Sequence, residues 1–344
     1  MKQDKMLKLI LEIITNFKLW EMQFSITIDC NPLYSLGCNF FKKEAIMFDT
    51  IKKNKRESFF IVSIFIIVIS LIVYYICIAL DMGPISIAIA LGFSIITAWS
   101  SYYYSDQIVL KLNNARPATR EENLQLVNIL DSLVVASGLN VTPKLYVVDD
   151  PQPNAFATGR NPEHSAICVT TGLLEKLDYY ELEGVVGHEL GHIKNYDIRL
   201  SAVVTVMVGF VVMLSDMFSR YMFYGGSRRR NNDESKGNAI FMLIGLVFLI
   251  LSPIFGKLMQ LAISRKREYM ADATSVQFTR NPDGLISALQ KISSDPNQLR
   301  TANNSTAHMY IANPFRKNAK KKFSNLWSTH PSTEDRISAL RDLK

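Results

Sequence analysis

Phe59 to Leu80 is an apolar run long enough to cross a bilayer, which takes about 20 residues of helix. Asp81, Met82, Gly83 and Pro84 make a short turn, and a second run follows from Ile85 to about Tyr104. That second run ends in Trp99, Tyr102, Tyr103 and Tyr104, residues suited to a membrane–water interface. Lys52, Lys53, Lys55 and Arg56 precede the first run and place the amino terminus inside, so the chain returns to the cytoplasm near Ser105. Two further apolar stretches run from Ile198 to Phe218 and from Ala239 to Gly256, the latter with Pro253 inside it. If both cross, they form a second hairpin that leaves the cytoplasm just after His192 and returns just before Arg265. Arg228, Arg229 and Arg230 in the connecting loop run against the positive-inside rule, so the alternative is a hairpin that does not fully cross.

Hydrophobic residues make up 48% of the 344 and charged residues 20%, and the apolar content is concentrated in these stretches. The net charge of +7 comes from basic residues flanking them, which points to a membrane surface rather than nucleic acid, for which no motif is present. The expected organisation is therefore an extension over 1–46, a membrane hairpin over 47–104, a soluble unit begun over 105–197, a second apolar hairpin over 198–263 and the rest of the soluble unit over 264–344. The extension reads as a segment upstream of a natural start at Met47, with an amphipathic surface helix over 6–20 as the alternative. Cys30, Cys38, Cys77 and Cys168 lack metal-ligand spacing and read as reduced structural thiols.

The soluble segments read as α+β. Thr119 and Glu122 have capping-box spacing before a helix through about Ser137, with Leu126, Leu130, Leu133 and Val134 inward. Lys144–Val148 and Ala166–Thr170 read as strands, Pro282 opens a later helix, and Ser332 caps a last one through Leu340. Asp178 and Glu181 are a second capping box, ahead of apolar residues at helical spacing: Leu182, Val185, Val186, Leu190 and Ile193.

That helix carries His188-Glu189-x-x-His192. Residues four apart share one helix face, so His188 and His192 can aim two imidazoles at one cation while Glu189 reaches a water on it. This is the pattern of two zinc ligands with a general base. Gly187 and Gly191 cost helix stability, which implies a close approach of backbone, metal or substrate. A catalytic zinc needs a third protein ligand. Glu268 is the best candidate, because the second hairpin would return it beside the first two. Asp272, one turn along, can accept the spare N–H of a ligand histidine. Asp197 reads as a structural partner of the active-site helix, while His164 and His308 fall in polar loops and receive no role.

Four separated motifs stand in order: N-A-F-A-T-G from Asn154 to Gly159, H-E-L-G-H-I-K-N-x-D from His188 to Asp197, S-R-K-R-E-Y-M-A-D from Ser264 to Asp272, and T-H-P-S-T-x-x-R-I from Thr329 to Ile337. Together they resemble the HtpX family of membrane zinc endopeptidases, relatives of the CAAX prenyl proteases, from about Met47 to the end. The resemblance implies Glu268 as third zinc ligand, and Asn154 and Ala155 in an edge strand that binds substrate backbone. It implies His330 across from the metal as an oxyanion donor, with Arg336 holding that segment by an ion pair. The expected protein is thus mainly α within an α+β class, with about four transmembrane helices and a gluzincin-like protease domain facing the cytoplasm. Its cofactor would be one Zn2+ and its substrates polypeptides, among them misfolded membrane proteins under stress. A CAAX-type processing protease, or a catalytically silent membrane chaperone, are the competing expectations.

Overall fold

The computed structural model describes residues 83–220, 265–297, 299–300, 306–312 and 331–343, together with 52, 54–71, 73–74 and 77. All of them fall in the unit Thr50–Lys344. The extension over 1–46, Arg228 to Arg230, the apolar stretch Ala239 to Gly256 and His330 lie outside the described residues.

The first apolar run is helical over 54–71 (α1), and the second forms α2, Ile85–Tyr103. Among the described residues α2 is the helix long and apolar enough to cross a membrane. Ile61, Phe65 and Ile69 recur every four residues on α1, which makes one stripe. The stripe packs with Ala98 of α2 and with Leu200, Val203, Val204 and Met207 of α7, Asp197–Arg220, the third apolar stretch. Outside that stripe Phe59, Phe60 and Ile67 of α1 and Ile85, Ile87, Ile95 and Ile96 of α2 stand exposed.

After α3, Ser105–Leu112, the chain builds the sheet β1 (Arg116–Pro117), β2 (Lys144–Val148), β3 (Ala155–Asn161) and β4 (His164–Thr170), in the order β1-β2-β4-β3. β2 runs parallel to β4, and β3 lies antiparallel to β4 at the rim. Alternation along β3 serves two cores. Ala155 and Ala157 join the cluster of helices α4 (Leu124–Ser137) and α6 (Tyr179–Lys194), while Phe156 joins Val109, Leu110, Cys168 and Tyr310 on the other face.

Two sequence expectations need correction. Thr119 Oγ1 does accept from the Glu122 N–H, but this closes a turn, and α4 begins at Leu124. The reciprocal half of the box is replaced, because Glu122 turns to Arg116 instead, at 2.8 Å. His308, expected in a polar loop, is buried with Nε2 3.3 Å from Thr205 Oγ1. At Asp178 both halves of the capping box are made, and α6 starts as the spacing requires.

The rest of the unit is helical: α5 (Thr171–Lys176), α8 (Arg265–Thr279), α9 (Pro282–Ser294) and α10 (Thr333–Arg341). The glycines of α6 are explained by α8. A Cβ on Gly187 would stand 2.8 Å from Ser275 Oγ, and one on Gly191 3.2 Å from Thr274 Cβ and 3.3 Å from Ala271. Their absence lets the two ligand-bearing helices approach. Gly191→Val should push α8 away, lowering stability by about 1–3 kcal/mol as overpacking does. Thermal unfolding in detergent, read together with bound metal, checks this, and both should fall.

Candidate metal centre

α6 presents His188 and His192 on one face, their rings nearly perpendicular at 87° with centroids 4.7 Å apart. Their Nε2 atoms are 3.2 Å apart. Glu268, from the first turn of α8, brings Oε1 to 3.6 Å from His192 Nε2 and Oε2 to 3.8 Å from His188 Nε2. One ligand atom from each of the three lies within 4.8 Å of the others, with all three side chains largely buried.

The outer nitrogens decide what these atoms are. His188 Nδ1 is 2.9 Å from Asp272 Oδ1, and His192 Nδ1 is 3.0 Å from Asp197 Oδ2. A carboxylate only accepts, so each Nδ1 carries a proton, and a ring in its neutral form turns a bare Nε2 inward. Once His192 has given up its second proton, two nitrogen acceptors and a carboxylate converge with no donor among them. That arrangement fits a cation, and two imidazoles with a carboxylate are the donor set of catalytic zinc centres.

Both carboxylates are braced in turn. Arg336 grips Asp272 through Nη2–Oδ1 at 2.6 Å and Nε–Oδ2 at 2.9 Å, a bidentate pair buried in the interior. The ion pair expected of Arg336 is therefore made with the partner of a ligand histidine. Asp197 accepts from Asn54 Nδ2 at 2.6 Å, and Arg267 Nε lies 3.9 Å away. Asn54 sits near the start of α1 and also donates to the Asn195 carbonyl at 3.1 Å. Sequence reasoning missed Asn54 altogether. For Asp197 the signal was its place just past the helix end, where Tyr196 at φ 60° reverses the chain.

Burial is the main force on the ionisations. It drives His188 down to about 4, with Arg336 adding to it, so that ring stays neutral. Burial opposes charge on His192 too, but Asp197, Glu268 and Glu189 outweigh it and raise the ring to about 9. Burial also works against the Asp272 carboxylate, yet Arg336 and His188 hold it below the usual range. Glu189 is pushed up to about 7 by burial, with Glu268 adding to the rise, while His192, Arg336 and the Ala157 N–H favour its charged form. That N–H belongs to β3, so the general-base candidate lies between the metal ligands and the rim of the sheet. At the head of the strand Asn154 Oδ1 accepts from its neighbour Ala155 N–H at 3.1 Å.

Residues 120–344 match the model of peptidase family M48. The chain belongs to that family. It is 44% identical over 299 residues to a Protease HtpX homolog of Dictyoglomus thermophilum, covering 87% of this chain and 95% of the relative. A Protease HtpX homolog of Lactobacillus helveticus is 40% identical over 304 residues, covering all of its own length. The solved structure of Ste24p from S. mikatae matches with a TM-score of 0.44 and 19% identity, over 78% of this chain and 62% of that one. The peptidase is accordingly a metallopeptidase that hydrolyses peptide bonds, and the His188, His192 and Glu268 cluster is its possible metal site.

Two outcomes follow from the bracing. Asp272→Ala should weaken divalent-metal binding about 10- to 100-fold, and Asn54→Ala, one step further out, by less, both read by chelator competition. Cation binding must also displace the proton that His192 holds below about 9. Affinity should therefore rise with pH up to that value and fall below it, which titration calorimetry across pH would show.

Proposed function

We propose that the peptidase is a zinc endopeptidase of the membrane that cuts polypeptides in extended form at its cytoplasmic face. One observation carries this reading: three acceptors converge on a cation position beside a buried carboxylate that is itself tied to a rim strand. Zinc held by His188, His192 and Glu268 would polarise the scissile carbonyl and make its water acidic near neutrality. Glu189, with its pKa near 7, takes a proton from the attacking water and returns it to the leaving amine. Asn154 and Ala155 align the substrate backbone along β3 by strand addition. Asp272 and Arg336 keep His188 in its ligand tautomer. His330, just before Pro331 and the cap Ser332, is assigned the role of donor to the developing oxyanion.

The membrane side of the proposal rests on α1 and α2, whose outer faces expose Phe59, Phe60, Ile87, Ile95 and Ile96. Contacts support the proposed orientation. Asn54 touches Asp197, Lys55 Nζ lies 4.2 Å from the centre of the Tyr196 ring, and Arg160 donates to the Tyr103 carbonyl at 2.9 Å. Both ends of the first hairpin thus meet the peptidase unit, on the side of the basic cluster that the positive-inside rule keeps in the cytoplasm. A site at that surface, beside a rim strand that can pair with extended chains, suits removal of misfolded membrane proteins under stress, which is the physiological role proposed here.

Glu189→Gln in detergent should bind zinc as the unmodified protein does, yet cleave an unfolded model protein about 100- to 10,000-fold more slowly. Equal cleavage by both proteins would overturn the assignment of Glu189.

A further inference from the structure

The rim of β3 is partly taken by the chain itself. Ile311 N–H donates to the Ala155 carbonyl at 3.0 Å. Ala312 N–H donates to Asn154 Oδ1 at 3.2 Å, and Asn154 Nδ2 donates back to the Ala312 carbonyl at 3.0 Å. The remaining backbone acceptor, the Ile311 carbonyl, takes Arg336 Nη1 at 3.4 Å. Ile311 stands opposite Ala155 and Ala312 opposite Asn154, so the segment runs antiparallel to β3. Its four backbone polar atoms are all met by residues around the metal centre. The same Arg336 Nη1 is 3.8 Å from Glu268 Oε2, which places the Ile311 carbonyl one guanidinium away from a metal ligand.

The general base fixes the register. Ala155 and Ala157 turn their backbone groups to the same edge, about 7 Å apart at a strand's rise. Ala155 receives Ile311, and the Ala157 N–H lies on the side of Glu189, whose charged form it favours. A peptide antiparallel to β3 that continued upstream from the Ile311 position would pass Ala157 and Glu189. This chain does not continue there. Tyr310 turns under the sheet, its ring 5.0 Å from Phe156 and its hydroxyl donating to Asn113 Oδ1 at 2.9 Å, after the 3-10 turn Ala307–Met309. Among the described residues the internal peptide thus meets β3 at Asn154 and Ala155 only through Ile311 and Ala312.

We propose that Ile311 and Ala312 occupy the seat of the substrate residues that follow the scissile bond, and that a substrate strand must displace them. The inference rests on the peptidase reading above. It names a substrate class. The seat takes a branched aliphatic residue directly after the scissile bond, since Ile311 is 4% exposed within the apolar core, and a small residue next, where Ala312 packs against that core. An acidic residue would be buried there without a counter-charge of its own.

Binding and cleavage test this separately. Binding is read by anisotropy of a fluorescent, unstructured peptide containing one Ile-Ala pair, on full-length zinc-loaded Glu189→Gln. Ala312→Pro in that background removes the N–H given to Asn154, and Tyr310→Phe removes the hydroxyl anchor. Each should tighten binding about three- to ten-fold, the worth of one net hydrogen bond. Replacing the Ile of the peptide by Asp should abolish binding. Unchanged or weaker binding in the Tyr310→Phe protein with full zinc content would overturn the proposal, whatever becomes of Ala312→Pro. So would equal binding of the Asp peptide. In cleavage, mass spectrometry of products from the unmodified enzyme should show Ile, Val and Leu enriched several-fold after the cut. Products without that enrichment sink the seat and leave the peptidase intact. Absence of any Glu189-dependent product sinks the peptidase reading, while the anisotropy still decides who occupies the rim.

Discussion

Two imidazole nitrogens face each other at 3.2 Å, and the outer nitrogen of each ring is held by a carboxylate. Asp272 and Asp197 do the holding, at 2.9 and 3.0 Å. Without them the rings could take either tautomer and one N–H could bond the other ring. With them the outer protons are fixed, and a cation that displaces the remaining proton of His192 meets acceptors only. The rest of the unit serves that constraint. The glycines of α6 let α8 come close enough to deliver Glu268 and Asp272, and α10 supplies Arg336 to neutralise Asp272.

The bracing differs on the two sides. Behind His188 the partner is a fully buried, bidentate pair from helices α8 and α10. Behind His192 it runs through Asp197 to Asn54, that is, to the junction of α6 with α7 and to the start of α1. One ligand is thus set by the peptidase core and the other by the starts of the apolar helices α1 and α7. This gives the proposed membrane helices a structural reason to stay with the metal centre: they carry part of its bracing.

Glu189 lies between the metal ligands and the rim of the sheet, where the Ala157 N–H favours its charged form. A strand edge is a template for any extended chain, and exposed edges are hazards unless covered. Here Ile311 and Ala312 cover the stretch at Asn154 and Ala155. The cover is short and its bonds are few, the kind of protection that another extended chain can replace.

Much of the site was legible in the sequence, because local chemistry specifies it. The capping box at Asp178 and Glu181, the apolar spacing behind it and the four-residue step from His188 to His192 are properties of one helix, and α6 follows them. The four-residue step from Glu268 to Asp272 likewise puts both on one face of α8. Local spacing misled at Thr119, where a side-chain partner from β1, Arg116, drew Glu122 away and left a turn instead of a first helical turn. What no local pattern holds is contact between distant segments. Asn54 and Asp197 are separated by 143 positions, and Asn154 and Ala312 by 158, and nothing in either neighbourhood announces its partner. The sequence by itself determined the donor types and the helices that carry them. Only the tertiary structure decided which carboxylate orients which histidine and which segment lies on the rim strand, because those pairings depend on how helices and sheet pack across the whole chain.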